Sequence, residues 1–191
     1  MDENLILPDP RPSRSDAVKN RELLLETAGR LFGEQGVDAV SMSAVAEEAG
    51  VGKGTLYRHF ENKLALCHAL LDEDQRDLQE RTLHRLRYHD DSLENLNWFL
   101  SEVVRFVDRN QEMLCVRSAG STLDFPGHFW WQQTIRGLLE RLDPPGDIDY
   151  TADVLYTMLD IRTIQYLRHA RGYEMSRIID GLKTLLSKLT S

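Results

Sequence analysis

Apolar residues recur along this chain at helical intervals almost throughout. Leu24, Ala28, Leu31 and Phe32 mark one face of a helix that begins near Asp16 and stops at Gly36. Ser41 is placed to cap a short helix through Val45, Ala46 and Ala49, which Gly50 ends. Gly52 to His59 forms a second short helix, and a longer one runs from Glu61 through Leu64, Leu71 and Leu78 to Leu86. Ser92 caps the next, which carries Leu93, Leu96, Phe99, Leu100, Val103 and Phe106 on one side. Further helices are expected over 111–122, 129–142, 148–170 and 174–189, separated by Phe125-Pro126-Gly127, Pro144-Pro145-Gly146 and Gly172. No segment alternates as a strand would, and no repeat of fixed period is present. The pattern predicts an all-α protein of about nine helices. Residues 1–15, with Pro8, Pro10 and Pro12 and no apolar period, read as a flexible N-terminal arm. Residues 16–62 form a small three-helix domain with a helix-turn-helix, and residues 63–191 a larger helical domain.

Composition and charge narrow the function. The 191 residues are 41% hydrophobic, which suits an ordinary globular chain, and no apolar run approaches the roughly 20 residues that span a bilayer. The N-terminus lacks a basic flank before an apolar stretch, so it does not read as a signal peptide. Cys67 and Cys115 lie far apart in helical patterns, so neither a disulfide nor a metal framework is expected and a reducing cytoplasm is the natural compartment. A net charge of −8 argues against indiscriminate nucleic-acid binding. The cations are nonetheless gathered: Arg11, Arg14, Lys19 and Arg21 form one basic island, Lys53, Arg58 and Lys63 another. Two such islands in an acidic molecule imply an anionic partner held at a defined face.

The second island coincides with the two short helices, whose size and punctuation are those of a helix-turn-helix. Gly50 can take the left-handed conformation that ends the first helix, Val51 can plug the corner, and Leu56 and Phe60 point inward with Val45 and Ala46. Lys53, Gly54, Thr55, Tyr57, Arg58 and His59 are left outward. Gly54 permits close backbone approach, Lys53 reaches a base edge or a phosphate, and Tyr57, His59 and Lys63 suit phosphate oxygens. Arg11 and Arg14 could reach a flanking minor groove or phosphates, or could belong to a tail of incidental charge.

The stretches L24-L-E-T-A-G-R-L-F-G-E-Q-G36, S41-M-S-A-V-A-E-E-A-G-V51 and K53-G-T-L-Y-R-H-F60, with Asn62, Lys63 and Leu66, closely resemble the DNA-binding domain of the TetR family of transcriptional regulators. The resemblance covers about a quarter of the chain, from Arg21 to Leu70. It implies a homodimer that reads a palindromic double-stranded operator, and a larger domain that binds a small-molecule effector. By position, Ser41 and Tyr57 would hold phosphates, Ser43, Lys53, Gly54 and Thr55 would lie nearest the bases, and His59 and Lys63 would grip the backbone. Gly52 stands where a polar residue is common in the family, which removes a hydroxyl cap from the second short helix. Leu64 replaces a residue that is usually acidic or polar, so fine sequence preference and affinity should differ from those of relatives.

In the larger domain, Trp98, Phe99, Phe106, Phe129, Trp130 and Tyr156 can line a pocket for an apolar effector or fill the core. The adjacent Trp130 and Trp131 cannot both point inward from one helix face. Glu102, Arg117, Asp160 and Arg162 lie in apolar helical stretches. Glu102 or Asp160 in a pocket would favour a cation, and Arg117 a carboxylate. Val154, Met158, Ile161, Ile178, Leu182, Leu185 and Leu189 give the last two helices more apolar surface than a lone pair should expose, so a dimer interface is expected there. The resulting expectation is a ligand-responsive repressor without cofactor, metal or membrane partner. An architectural DNA-binding protein without effector, or a helical enzyme using one of His84, His89, His128 and His169, are the rivals. No carboxylate pair, nucleophile motif or phosphate loop supports the enzyme.

Overall fold

The computed structural model describes residues 14–117 and 129–189, with the side chains of Arg14 and of residues 115–117 left undescribed. All the regular structure among these residues is helical: α1 (Arg14–Gln35), α2 (Met42–Glu48), α3 (Lys53–His59), α4 (Lys63–Tyr88), α5 (Ser92–Arg109), α6 (Gln111–Arg117), α7 (Phe129–Leu142), α8 (Ile148–Met158), α9 (Ile161–Gln165) and α10 (Met175–Leu189). A π-helical turn, Tyr166–Ala170, continues α9. The chain divides into two compact units, one ending at Leu66 and the other beginning at Cys67, so α4 starts in the first and continues in the second.

Capping chemistry places most helix ends. Asp91, rather than Ser92, caps α5, its side chain accepting from the Glu94 amide at 2.9 Å. Asp147 caps α8 in the same way through Tyr150. The start of α4 is set by Asn62, whose Oδ1 accepts from the Ala65 amide at 2.9 Å, so that helix begins at Lys63 and not at Glu61. Gly36, at φ 84°, ends α1 in the left-handed conformation that glycine adopts without strain. At the other end α1 begins at Arg14, slightly earlier than its apolar period suggests.

The main correction concerns 148–170, expected as one helix. It is interrupted at Leu159, and Asp160 then caps α9 with its carboxylate on the Arg162 amide at 2.8 Å. Apolar periodicity runs unbroken through the interruption, which is why it conceals it. Ten α-helices therefore stand among the described residues where about nine were expected.

In the second unit α5 contacts α6, α7, α9 and α10. Its buried face, from Leu96 and Phe99 through Val103 to Val107, meets Trp131 and Ile135 of α7, Leu155 of α8 and Ile178, Leu182 and Leu186 of α10. Phe106 and Trp131 pack edge to face with centroids 5.5 Å apart, an arrangement worth about 0.5–1.5 kcal/mol beyond area burial. No helix among the described residues is long and apolar enough to cross a membrane.

Candidate nucleic-acid interface

The first unit is built around Leu24, Leu25, Ala28, Leu31 and Phe32 of α1, with Val45 and Ala46 of α2, Leu56 of α3 and Phe60, all buried. The Arg21 guanidinium lies 5.6 Å from the centre of the Phe60 ring, covering the edge of this core.

Local chemistry then sets the corner between α2 and α3. Ser41, in an extended conformation, caps α2 by accepting from the Ala44 amide at 3.1 Å. At the other end Gly50, at φ 66°, donates to Glu47 O at 3.0 Å, and Val51 donates to Ala46 O at 3.0 Å. This crossed pair of bonds satisfies carbonyls that the helix end would otherwise leave open, and it requires a residue that tolerates positive φ. Gly52 follows as the cap of α3. Its carbonyl accepts from Thr55 and Leu56, and it makes no side-chain cap bond, as its lack of a hydroxyl dictates. One burying residue, Leu56, anchors the seven-residue helix.

The rest of α3 turns outward. Lys53, Gly54, Tyr57 and Arg58 are exposed, Tyr57 to 50%, while Thr55 and His59 are half-buried. Among the described residues the side chains of Lys53 and Tyr57 have neither a hydrogen bond nor an ion pair. Arg58 folds back to donate to Thr55 Oγ1 at 3.2 Å. The His59 ring leans on Phe60, with centroids 6.2 Å apart. A Cβ built on Gly52 or Gly54 would meet no atom within 4 Å, so nothing inside the protein demands glycine at either position.

The neighbouring candidates lie on adjoining elements of the same unit. Ser41 is exposed beside the start of α2 and Ser43 is half-buried in its first turn. Lys63, in the first turn of α4, donates to Asp38 O at 3.2 Å, which tethers its ammonium to the loop after α1 and leaves its other protons for a second acceptor. Arg30 of α1 binds both Glu34 and Glu48, linking α1 to the last turn of α2. Hydrogen bonding to Glu48, then to Glu34, raises the Arg30 pKa above its ordinary value. Of the basic arm, Arg11 lies outside the described residues and Arg14 opens α1.

The residues read as pocket candidates in the second unit separate into distinct environments. Phe99 and Phe106 are fully buried in the core. Trp130 is half-buried and meets Phe99 edge-on at 5.5 Å, whereas its neighbour Trp131 is buried and Phe129 is exposed. Tyr156 packs half-buried against the core, and Asp160 is the α9 cap. The Arg117 side chain and Phe125 lie outside the described residues. Glu102, 14% exposed, takes 2.6 Å bonds from both Arg81 and Arg105. Burial pushes its carboxyl pKa up, but the two guanidinium groups outweigh this and hold it below the ordinary carboxylate value. Trp98, half-buried beneath Arg85 at 5.2 Å, lines an open cleft of about 510 Å3 between α4 and α5. The other lining groups come from 77–89. They escape sequence reasoning because α4 reads as a charged solvated helix until α5 is laid beside it.

On the last helices, Val154, Leu185 and Leu189 are exposed to 40%, 44% and 40%, Met158 is half-buried, and Ile161, Ile178 and Leu182 lie in the unit's own core. Tyr150, exposed on α8, adds an aromatic to the apolar surface of that helix.

Comparison with known proteins places this geometry among its relatives. Residues 24–70 match the family model for bacterial regulatory proteins, tetR family. An HTH-type transcriptional regulator of Staphylococcus aureus strain MRSA252 is 31% identical over 159 residues, spanning 80% of this chain and 84% of that protein. A TetR-family transcriptional regulator from Pectobacterium atrosepticum has the same fold at a TM-score of 0.70 and 19% identity, over 93% of this chain and 95% of that one. The transcriptional regulator FadR from Bacillus subtilis, solved in complex with stearoyl-CoA, superposes at a TM-score of 0.64 and 16% identity, over 86% of this chain and 96% of that one.

Proposed function

Because the chain belongs to the TetR family of DNA-binding transcriptional regulators, we propose that it is a homodimeric repressor released from a palindromic operator by a small-molecule effector. The observation that carries this reading is the outward face of α3, where Lys53 and Tyr57 project without internal partners beside a glycine that the fold itself does not need. Each subunit lays α3 in a major groove, the two grooves roughly 34–36 Å apart along one side of the duplex. Lys53, Gly54, Thr55 and Ser43 lie nearest the bases. Ser41, Tyr57, Arg58, His59 and Lys63 bind phosphates and fix the register.

Dimerisation covers the apolar residues that α8 and α10 leave exposed, Val154, Leu185 and Leu189, with Met158 at the margin. That the Bacillus subtilis neighbour was solved in complex with stearoyl-CoA supports a ligand-binding role for this chain. The α4 helix, which begins with Lys63 and ends in the second unit, carries the signal. A differential affinity of about 3 kcal/mol between two dimer states changes operator occupancy roughly a hundredfold. The protein acts in the cytoplasm, where its operator is.

The test is binding to DNA from the protein's own upstream region over a range of salt, followed by selection from random sequence if that region is silent. With ~6 phosphates neutralised per dimer, the logarithmic salt slope is about −5. Specific binding with that slope, weakened by Tyr57→Ala, supports the reading. Absence of specific binding in both formats contradicts it.

A further inference from the structure

The cleft between α4 and α5 is lined by two carboxylates, Asp77 and Glu80, and two guanidinium groups, Arg81 and Arg85, unlike the basic α3 face. Its two arginines are already occupied. Arg81 binds Asp77 at 2.9 Å and Glu102 at 2.6 Å, and Arg85 binds Glu94 and Asn95, each at 2.9 Å, while lying over Trp98. Each guanidinium is thus charge-compensated by a protein carboxylate, which weakens its pull on an anionic ligand although it keeps unfilled N–H donors. Glu80 is the exception among the charged groups of the lining: it is exposed, and among the described residues its carboxylate has neither a hydrogen bond nor an ion pair. His84 and His89 border the same space, and in its neutral form an imidazole offers a ring nitrogen that accepts a hydrogen bond. The half-buried indole of Trp98 supplies an aromatic wall. A volume of about 510 Å3 falls within the range of small-ligand sites.

We propose that this cleft binds an organic cation with an aromatic or apolar body, its charge beside Glu80 and its body against the accessible part of the Trp98 indole. Arg85 holds one face of that indole, so Glu80 and not the ring is the principal anchor for the charge. A primary ammonium fits better than a quaternary one, because its N–H groups can also donate to His84 or His89. The cleft is formed by the same helix that bears Lys63 in its first turn, so occupancy can bear on DNA binding. That such a ligand acts as the effector rests on the regulator reading above; its binding does not.

The experiment titrates the full chain with 1-naphthylmethylamine, 1-naphthalenemethanol and 1-naphthoate, following the indole N–H signals by NMR, with Trp98 assigned from Trp98→Phe. The amine is expected to shift the Trp98 signal saturably at millimolar or lower concentration, and the alcohol and carboxylate to bind more weakly. Glu80→Gln, a change at an exposed position that leaves thermal unfolding unaltered, should weaken the amine about fivefold, the effect of one partly exposed charge pair. A carboxylate that binds as well as the amine, a Glu80→Gln variant with unchanged affinity, or no saturable shift at Trp98 would each overturn the proposal. Operator binding is measured on the same sample. Protein that binds DNA but ignores the amine sinks the cleft alone, and protein that binds the amine but no DNA sinks the regulator reading alone.

Discussion

On α3 of the first unit, Lys53 and Tyr57 stand exposed on a short, well-anchored helix with no internal partner among the described residues. On α4 and α5 of the second unit, Arg81, Arg85 and Arg105 are taken up by Glu102, Asp77, Glu94 and Asn95. Both are arrays of polar groups on helices. The difference is thermodynamic. A guanidinium whose charge is compensated by its own chain's carboxylates contributes to folding and is costly to redirect. A cation ordered by its helix but left unfilled has its binding capacity intact for a partner. The α3 face should therefore tolerate substitution without loss of stability, and the α4–α5 network should not.

The largest effect tests the support beneath the α3 face. Leu56→Ala should destabilise the first unit by about 2–5 kcal/mol, because the side chain is fully buried and its removal leaves a cavity. Amide exchange is expected to quicken through α1–α3 and not in α5, and DNA binding should fail with it. Equal loss of protection in both units would show that they do not fold as separately as their compact cores suggest.

Next in size is Glu102→Gln, which breaks the network from its centre. Loss of two charge-assisted hydrogen bonds at a mostly buried position should cost about 1.5–3 kcal/mol in denaturant unfolding. The same carboxylate makes stability depend on pH. Its folded pKa lies below its unfolded one, so its contribution is complete above the unfolded value of about 4.3 and is lost as pH falls through the folded value. The variant should therefore show a flatter decline in stability on acidification; an identical acid limb would remove Glu102 from the account.

Gly54→Ala sharpens the comparison from the other side with a smaller change in stability. The added methyl meets no atom within 4 Å and improves helix propensity, so the protein should become more stable by about 0.5–1 kcal/mol. Operator affinity should nonetheless fall, since the methyl occupies space that only the DNA needs. A variant that keeps full affinity would show that the duplex does not approach α3 closely at this point.

How far these features are legible in the sequence depends on their range. The α2–α3 corner is written in local chemistry: the Ser41 cap, the left-handed Gly50 and inward-pointing Leu56 and Phe60 all follow from residue type and spacing. Where two capping residues are adjacent, as Asp91 and Ser92 are, the choice between them depends on the backbone path and not on composition. The interruption before α9 was hidden for a related reason. Asp160 looks like a charge inside an apolar helix until its carboxylate is seen on the Arg162 amide. The α4–α5 network lay further out of reach. Asn95 accepts from Arg85 of α4 and donates to His89 O, and Asn110 donates to Asp74 of α4 as well as to Phe106 O, so these buried amides depend in part on groups outside their own helix.

Lys53→Ala, assayed for operator affinity and for unfolding free energy on one preparation, tests the central claim most directly. If the unpaired Lys53 of α3 serves DNA and not the fold, affinity falls at least tenfold, about 1.4 kcal/mol, while stability stays within about 0.5 kcal/mol of the parent. Unchanged affinity, or a loss of stability as large as the loss of binding, would contradict it.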